Sequence, residues 1–298
     1  MKVLNYGSMN YDYVYTVKHM VQPGETLASD NMETHFGGKG LNQSIALAKA
    51  GAEVYHAGMI GEDGEALKNV CRKYGVNTDY VSELEGRNGH AVIQVNEQGE
   101  NSIILYPGSN GKNTEEKIQS VLSNFGSGDI LLLQNEINLL DVIIEQAYER
   151  NIKIILNPSP LNQKVFACDL QKVSVFLLNE VEGKQLTGES DPELILEWMK
   201  VLYPNAEVVL TLGKRGSIYA ADGEKISCDS YHVDAVDTTA AGDTFTGYYI
   251  ASMLKGKDVK TRLKIASAAS AIAVTRKGAV PSIPFADEVE AFMKENEK

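Results

Sequence analysis

The chain has 298 residues, 28 Lys+Arg against 40 Asp+Glu, and a formal charge of −12 at pH 7. That acidity argues against nucleic acid as a partner, and a 43% hydrophobic, 23% charged composition excludes a disordered chain. Cys71, Cys168 and Cys228 are odd in number and form no CxxC pair, which fits reduced thiols and a cytoplasmic location. The opening MKVLNYGSMNYD turns polar too soon for a secretory leader. The longest aliphatic run, 130–133, is far short of the ~20 residues of a membrane helix, so no membrane partner is expected.

In chain order, short apolar runs predict strands at 3–6, 53–57, 130–133, 152–157, 173–178 and 208–212. Helical periodicity predicts helices between them at 39–50, 62–74, 115–125, 139–150 and 192–203. Continuously apolar strands separated by helices indicate an α/β fold: a mostly parallel central sheet with helices on both faces. Two segments break the rhythm. Residues 10–36 hold YDYVYTV, PGE and a second extended stretch, and 89–106 reads as the hairpin HAVIQV-NEQGEN-SIILY. Either they extend the main sheet or they form a small β-flap over its active end.

The motifs of fixed spacing do not occur. GGKG at 37–40 lacks the Ser/Thr that follows a P-loop lysine, and there is no HExxH or zinc-spaced cysteine set. The segment VDTTAAGDTFTGYYIASML, 236–254, carries the strongest local chemistry. Ala240, Ala241 and Gly242 strip side-chain bulk from a helix start, leaving backbone N–H groups open to an anion. Asp243 there can accept the proton of a hydroxyl that attacks a phosphoryl group, or it is an ordinary acid in a capped first turn. Lys39 and Asn42 share one face of a first turn behind Gly38, suiting sugar hydroxyls or a phosphate. Asp12, two residues after Asn10, reads by itself as an exposed strand-edge acid. Asn179 follows the apolar run VSVFLL, where open sheets bind ligands, and with Glu182 it also spells a capping box. The loop TLGKRG suits a nucleotide phosphate or a hairpin turn.

Taken together, GSMNYD, PGE, FGGKGLNQ, NEVEGKQLTG, TLGKRG, DTTAAGDTFTG and AVTRKGAVPSIP resemble, in this order, the ribokinase branch of the phosphofructokinase-B family of sugar kinases. The likeness spans essentially the whole chain. It implies transfer of a phosphoryl group from ATP to a sugar hydroxyl, the 5-hydroxyl in the case of ribose. It makes Asp243 the base and Ala240, Ala241, Gly242 and Asp243 an anion hole. Asn10, Asp12, Gly38, Lys39, Asn42 and Glu136 match sugar-holding positions. Asn179, Thr211, Gly213, Gly216, Gly242 and Ser267 match nucleotide-binding positions. Glu182 would organise magnesium through water, and Asp237, Thr239, Ala273, Arg276, Gly278 and Ser282 match a potassium-type site, mostly through carbonyls. The resemblance also implies a core of 1–9, 36–88 and 108–298, and a discontinuous β-lid of 10–35 and 89–107 through which two copies pair. Ser267 stands where a histidine is frequent near adenine. Leu105, Tyr106, Pro107, His90 and Gln94 depart from the family's lid and are expected to shape the sugar pocket, so a neighbouring pentose, a ketohexose or a nucleoside is an alternative acceptor. A non-catalytic sugar or nucleotide sensor on the same fold is the rival of a different class, opposed by the intact Asp243 and Ala240–Gly242.

Overall fold

The computed structural model describes residues 1–296. Nine strands make the central sheet and four more make a separate one. In chain order the strands are β1 (Val3–Tyr6), β2 (Asn10–Thr16), β3 (Asn31–Gly37), β4 (Val54–Ile60), β5 (Asn77–Glu83), β6 (Gly89–Val95) and β7 (Asn101–Tyr106). There follow β8 (Ile130–Gln134), β9 (Lys153–Asn157), β10 (Val175–Asn179), β11 (Glu207–Thr211), β12 (Ser217–Ala221) and β13 (Glu224–Cys228). The helices are α1 (Lys39–Lys49), α2 (Glu65–Lys73), α3 (Glu115–Leu122), α4 (Leu140–Glu149) and α5 (Gln163–Phe166). Five more follow: α6 (Glu180–Thr187), α7 (Pro192–Leu202), α8 (Ala241–Leu254), α9 (Val259–Val274) and α10 (Ala286–Asn296).

The large sheet has the order β13-β12-β11-β10-β9-β8-β1-β4-β5. Its strands run in one direction except β12, which is antiparallel to both β11 and the edge strand β13. Alternate side chains serve opposite faces. Val3 and Leu132 join the core under α1, α2, α8, α9 and α10, while Leu4 and Leu131 join the core under α3, α4 and α7. After β1 the chain builds outward through β4 and β5, then returns to add β8 on the other side of β1. The carboxyl ends of β1 and β8 therefore flank the point where strand order reverses, the place where open α/β sheets leave a crevice.

Predicted and observed elements differ mainly at their ends. The helix expected from residue 62 begins at Glu65, because Gly64 N donates to Gly61 O in a turn that delays it. The strand expected from 173 begins at Val175, after a short 3-10 turn over Leu170–Lys172. The two irregular segments do not extend the main sheet. They pair with each other in the order β3-β2-β6-β7, with β2 and β6 parallel and joined in register from Asn10↔Gly89 to Thr16↔Val95.

Candidate active site

Asp243 is the third residue of α8, in its first turn, and the N-cap, Ala240, takes a left-handed backbone (φ 59°) unusual for a residue with a side chain. No side chain caps this helix, so the reading of an ordinary capped start fails; Ala241 N donates to Thr238 O at 3.3 Å, and the N–H groups of Gly242 and Asp243 are left for a ligand. The Asp243 carboxylate is buried and held at both oxygens. Asn42 Nδ2 donates to Oδ2 at 3.0 Å, and Gln43 Nε2 donates to Oδ1 at 2.8 Å. Each oxygen keeps acceptor capacity for a further proton donor.

Lys39, Asn42 and Gln43 come from the first turns of α1, one face of which looks at α8. Lys39 N donates to Glu136 Oε2 at 2.9 Å, and Ser8 Oγ donates to the same oxygen. Burial works against the Lys39 ammonium, but Asp243, Glu136 and Glu182 outweigh it and hold that group above its ordinary pKa. Asn42 Oδ1 has no partner among the described residues.

Asp12 is not at a strand edge. It lies on β2, between β3 and β6, and leans over Gly37, where a Cβ would stand 1.9 Å from its Oδ2. Only glycine leaves room for that carboxylate. Burial pushes the Asp12 carboxyl up to about 7, and the charges of Glu136 and Asp243 add to the effect while His35 opposes it. Asn10, buried at the foot of the same strand, accepts from Asn110 Nδ2 at 2.7 Å. The register places Asp12, His35, Ala91 and Leu105 on one face of the small sheet. His90 and Tyr106, and likewise Gln94, stand on the other face. There the rings of Tyr13 and His90 lie 5.5 Å apart and those of His90 and Tyr106 5.0 Å apart. This corrects the expectation that His90, Gln94 and Tyr106 shape a pocket beside Asp12; of the two strand β7 residues, only Leu105 shares its face.

Two cavities meet at the start of α8. The smaller, about 220 Å³, is lined by Lys39, Asn157, Asn179, Glu182, Ala240 and Asp243 among others. The larger, about 610 Å³, brings together Thr211, Gly213, Gly216, Gly242, Ser267 and Ser270. Thr211, Thr238, Ala241, Gly242 and Phe245 belong to both walls. Asn179 and Glu182 form the capping box that the sequence spells. Asn179 Oδ1 accepts from Val181 N and Glu182 N, and Glu182 Oε2 accepts from Asn179 N at 2.8 Å. The TLGKRG loop is a tight turn joining β11 to antiparallel β12, and Thr211, Gly213, Lys214 and Gly216 in it line the larger cavity.

The candidate cation loop assembles from both its segments. Asp237 Oδ1 accepts from Thr239 N and Oγ1, and its Oδ2 accepts from Gly278 N at 2.8 Å. Burial opposes ionisation of Asp237, but these bonds hold its carboxyl below the usual range. Arg276 N donates to Ala273 O, while the Arg276 guanidinium turns away to pair with Glu288 at 2.6 Å. Ser282 Oγ donates to Ala279 O, so this loop too is closed on itself. The donors left are a carboxylate and carbonyl oxygens, a set that fits a hard monovalent cation. Among the described residues no three His, Cys, Asp or Glu side chains cluster as a metal site, and no helix is long and apolar enough to cross a membrane.

Sequence reasoning missed Gln43, Gln134, Ser8 and Asn157. Gln43 was within reach, four residues after Lys39 on one helix. Gln134, like Asn179, is a polar residue ending an apolar strand.

Residues 1–286 match the pfkB family carbohydrate kinases. The chain is 33% identical to a ribokinase of Haemophilus influenzae over 298 residues, 97% of each chain. It is 29% identical to a deoxyribokinase of Salmonella typhi along 100% of both. The fold superposes on Arabidopsis thaliana ribokinase complexed with ribose and ATP with a TM-score of 0.86, at 30% identity and 98% coverage of each chain. Likeness of that extent, along nearly every residue, means that this chain belongs to the pfkB family of carbohydrate kinases.

Proposed function

We propose that this kinase transfers the γ-phosphoryl group of ATP to the 5-hydroxyl of D-ribose, with Asp243 as base. The observation that carries the reading is the position of Asp243 on the wall of the smaller cavity, next in sequence to Gly242, which lines both cavities. The larger cavity suits the nucleoside end of ATP, the smaller, lined by Lys39, Asn179 and Glu182, suits its phosphates, and the space between Asp12 and Asp243 suits the sugar. The hydroxyl proton passes to an Asp243 oxygen as the hydroxyl oxygen bonds to phosphorus and the bond to the β-phosphate oxygen breaks. The N–H groups of Gly242 and Asp243, at the positive end of α8, take the charge of the transferred group. Asn10, Asp12, Gly38, Lys39, Asn42 and Glu136 hold the sugar; Asn179, Thr211, Gly213, Gly216, Gly242 and Ser267 hold the nucleotide.

Asp243 and Glu182 face Lys39 in the smaller cavity, so a polyphosphate entering there meets excess negative charge. Glu182 is the residue that would hold magnesium, through water, and the ion when bound would supply neutralising charge to the phosphates. Asp237 and Thr239, with the backbone of Ala273, Arg276, Gly278 and Ser282, would hold potassium. The small sheet, 10–35 and 89–107 with its flanks, acts as a lid that excludes water and pairs with the lid of a second copy. A cytoplasmic enzyme taking only sugar and ATP, with no nucleic acid or membrane partner, is the consistent setting.

A second acceptor, 2-deoxyribose, is favoured by one observation: apolar Leu105 stands on the face of Asp12 and has no polar group that a missing hydroxyl would leave unpaired. The test is ATP consumption against pentoses, 2-deoxyribose, hexoses and nucleosides, with magnesium, and with potassium or choline at equal ionic strength. Ribose should lead and potassium should raise the rate. Another winner keeps the chemistry and replaces the sugar; no turnover on any acceptor overturns the reading.

A further inference from the structure

Behind Asp243 lies a chain of buried amides that contacts neither cavity along most of its length. Gln43 Nε2 donates to Asp243 Oδ1 at 2.8 Å and to Asn157 Oδ1 at 3.1 Å. Gln43 Oε1 accepts from Gln134 Nε2 at 2.6 Å, whose second N–H goes to Asn5 Oδ1 at 2.9 Å. Asn5 Nδ2 then donates to Gly40 O at 2.7 Å and to Ser44 Oγ at 2.8 Å. Beyond it, Ser44 Oγ bonds His56 Nδ1, and His56 Nε2 bonds Gly7 O. Asn5, Gln43, Ser44, His56 and Gln134 have no exposed surface.

Every amide N–H of Asn5, Gln43 and Gln134 is used, and this fixes which way each amide points. Turning Gln43 over would set its Oε1 against the oxygens of Asp243 and Asn157 and its Nε2 against Gln134 Nε2. All three contacts would be like against like. Burial of so many amides gains nothing that an apolar core would lack, and it leaves Gln134 Oε1 without a partner among the described residues. A network that stability does not require, ending on the one carboxylate that must be aimed, points to aiming as its purpose.

We infer that Gln43 and Gln134 are positioning residues for Asp243: Gln134 fixes the Gln43 amide, and Gln43 fixes one carboxylate oxygen while Asn42 fixes the other. This rests on the reading of Asp243 as the base. It adds that the orientation of the base is set from behind, by a strand-borne residue on β8 that never touches the sugar.

The test is steady-state kinetics on the best acceptor, with thermal unfolding of each variant. Gln43→Met should lower kcat about 10²-fold, the scale of a misplaced catalytic group, with KM for sugar and ATP nearly unchanged. Gln134→Met should lower kcat about tenfold in the same pattern. In the double variant, Gln134→Met should add nothing to the loss from Gln43→Met, because it acts only through that amide. Gln134→Glu, of equal size, removes the donor and turns the Gln43 amide over. It should cost at least as much as Gln134→Met, and it serves if Gln134→Met does not fold. Losses that multiply in the double variant, or Gln134 variants with lower melting points and unchanged kcat, overturn the inference. Asp243→Asn separates the two claims. If it is inactive while Gln43→Met is normal, the base stands and the aiming role falls; if it is active, the assignment of the base falls first.

Discussion

Asp243 and Asp12 are carboxylates in one site with opposite surroundings. Asp243 is met by two amide donors, whereas Asp12 is set among carboxylates in a buried place and is pushed up to about 7. If Asp243 takes the proton, Asp243→Asn should lower kcat at least about 10²-fold with substrate binding largely kept. If Asp12 holds the sugar by accepting hydroxyl hydrogen bonds, it must be ionised to do so at both oxygens, and its raised pKa means the proton is held until pH passes about 7. Sugar KM should therefore rise as pH falls through 7, while KM for ATP stays level and Asp12→Asn abolishes the trend; a flat sugar KM between pH 6 and 8 would refute it. At this scale the sequence was readable where chemistry is local. Lys39 with Asn42 follows from helical spacing, Asp243 from a helix start, and Asn179 with Glu182 from a capping pattern. Gln134 stands out as a polar strand end, but its role was not readable, since its partners lie 91 and 129 residues away.

The packing of α1 against α8 decides whether the donors reach the base. At Gly247 on α8 a Cβ would stand 2.4 Å from Ala46 Cβ and 2.8 Å from Leu47 N, both on α1. In an open helix Gly→Ala stabilises by about 0.5–1 kcal/mol. Here the overlap reverses the sign. Gly247→Ala should destabilise by about 1–3 kcal/mol and lower kcat, because the helices carrying Asn42, Gln43 and Asp243 are pushed apart. A raised melting point would show that the helices yield freely. Element types in the core were legible because buried parallel strands are apolar throughout. The faces of β6 and β7 were not, since period-two alternation says which residues share a side but not which side meets the core.

For the whole molecule, the small sheet poses a problem of its own. Strand β7 pairs only with β6, all six of its residues are exposed, and Ile103 and Ile104 are 56% and 65% open. Such an apolar edge invites a partner. The native mass at micromolar concentration should be that of a dimer, and Ile104→Glu should shift it to monomer without altering core unfolding; a wild-type monomer would remove the paired-lid reading.

The small sheet is also stitched from two distant stretches of chain, with β2 and β6 meeting through the pairing of Asn10 with Gly89. Neither stretch can complete it until the core has brought both into place, so its closure costs are met late and its loss need not disturb the nine-stranded sheet. Amide hydrogens of 10–16 and 89–95 should then exchange with deuterium together, through an opening that leaves β1 and β8 protected. If the small sheet closes over bound sugar, saturating sugar should slow that exchange, making the rate at which these amides trade their hydrogens a clock for its opening.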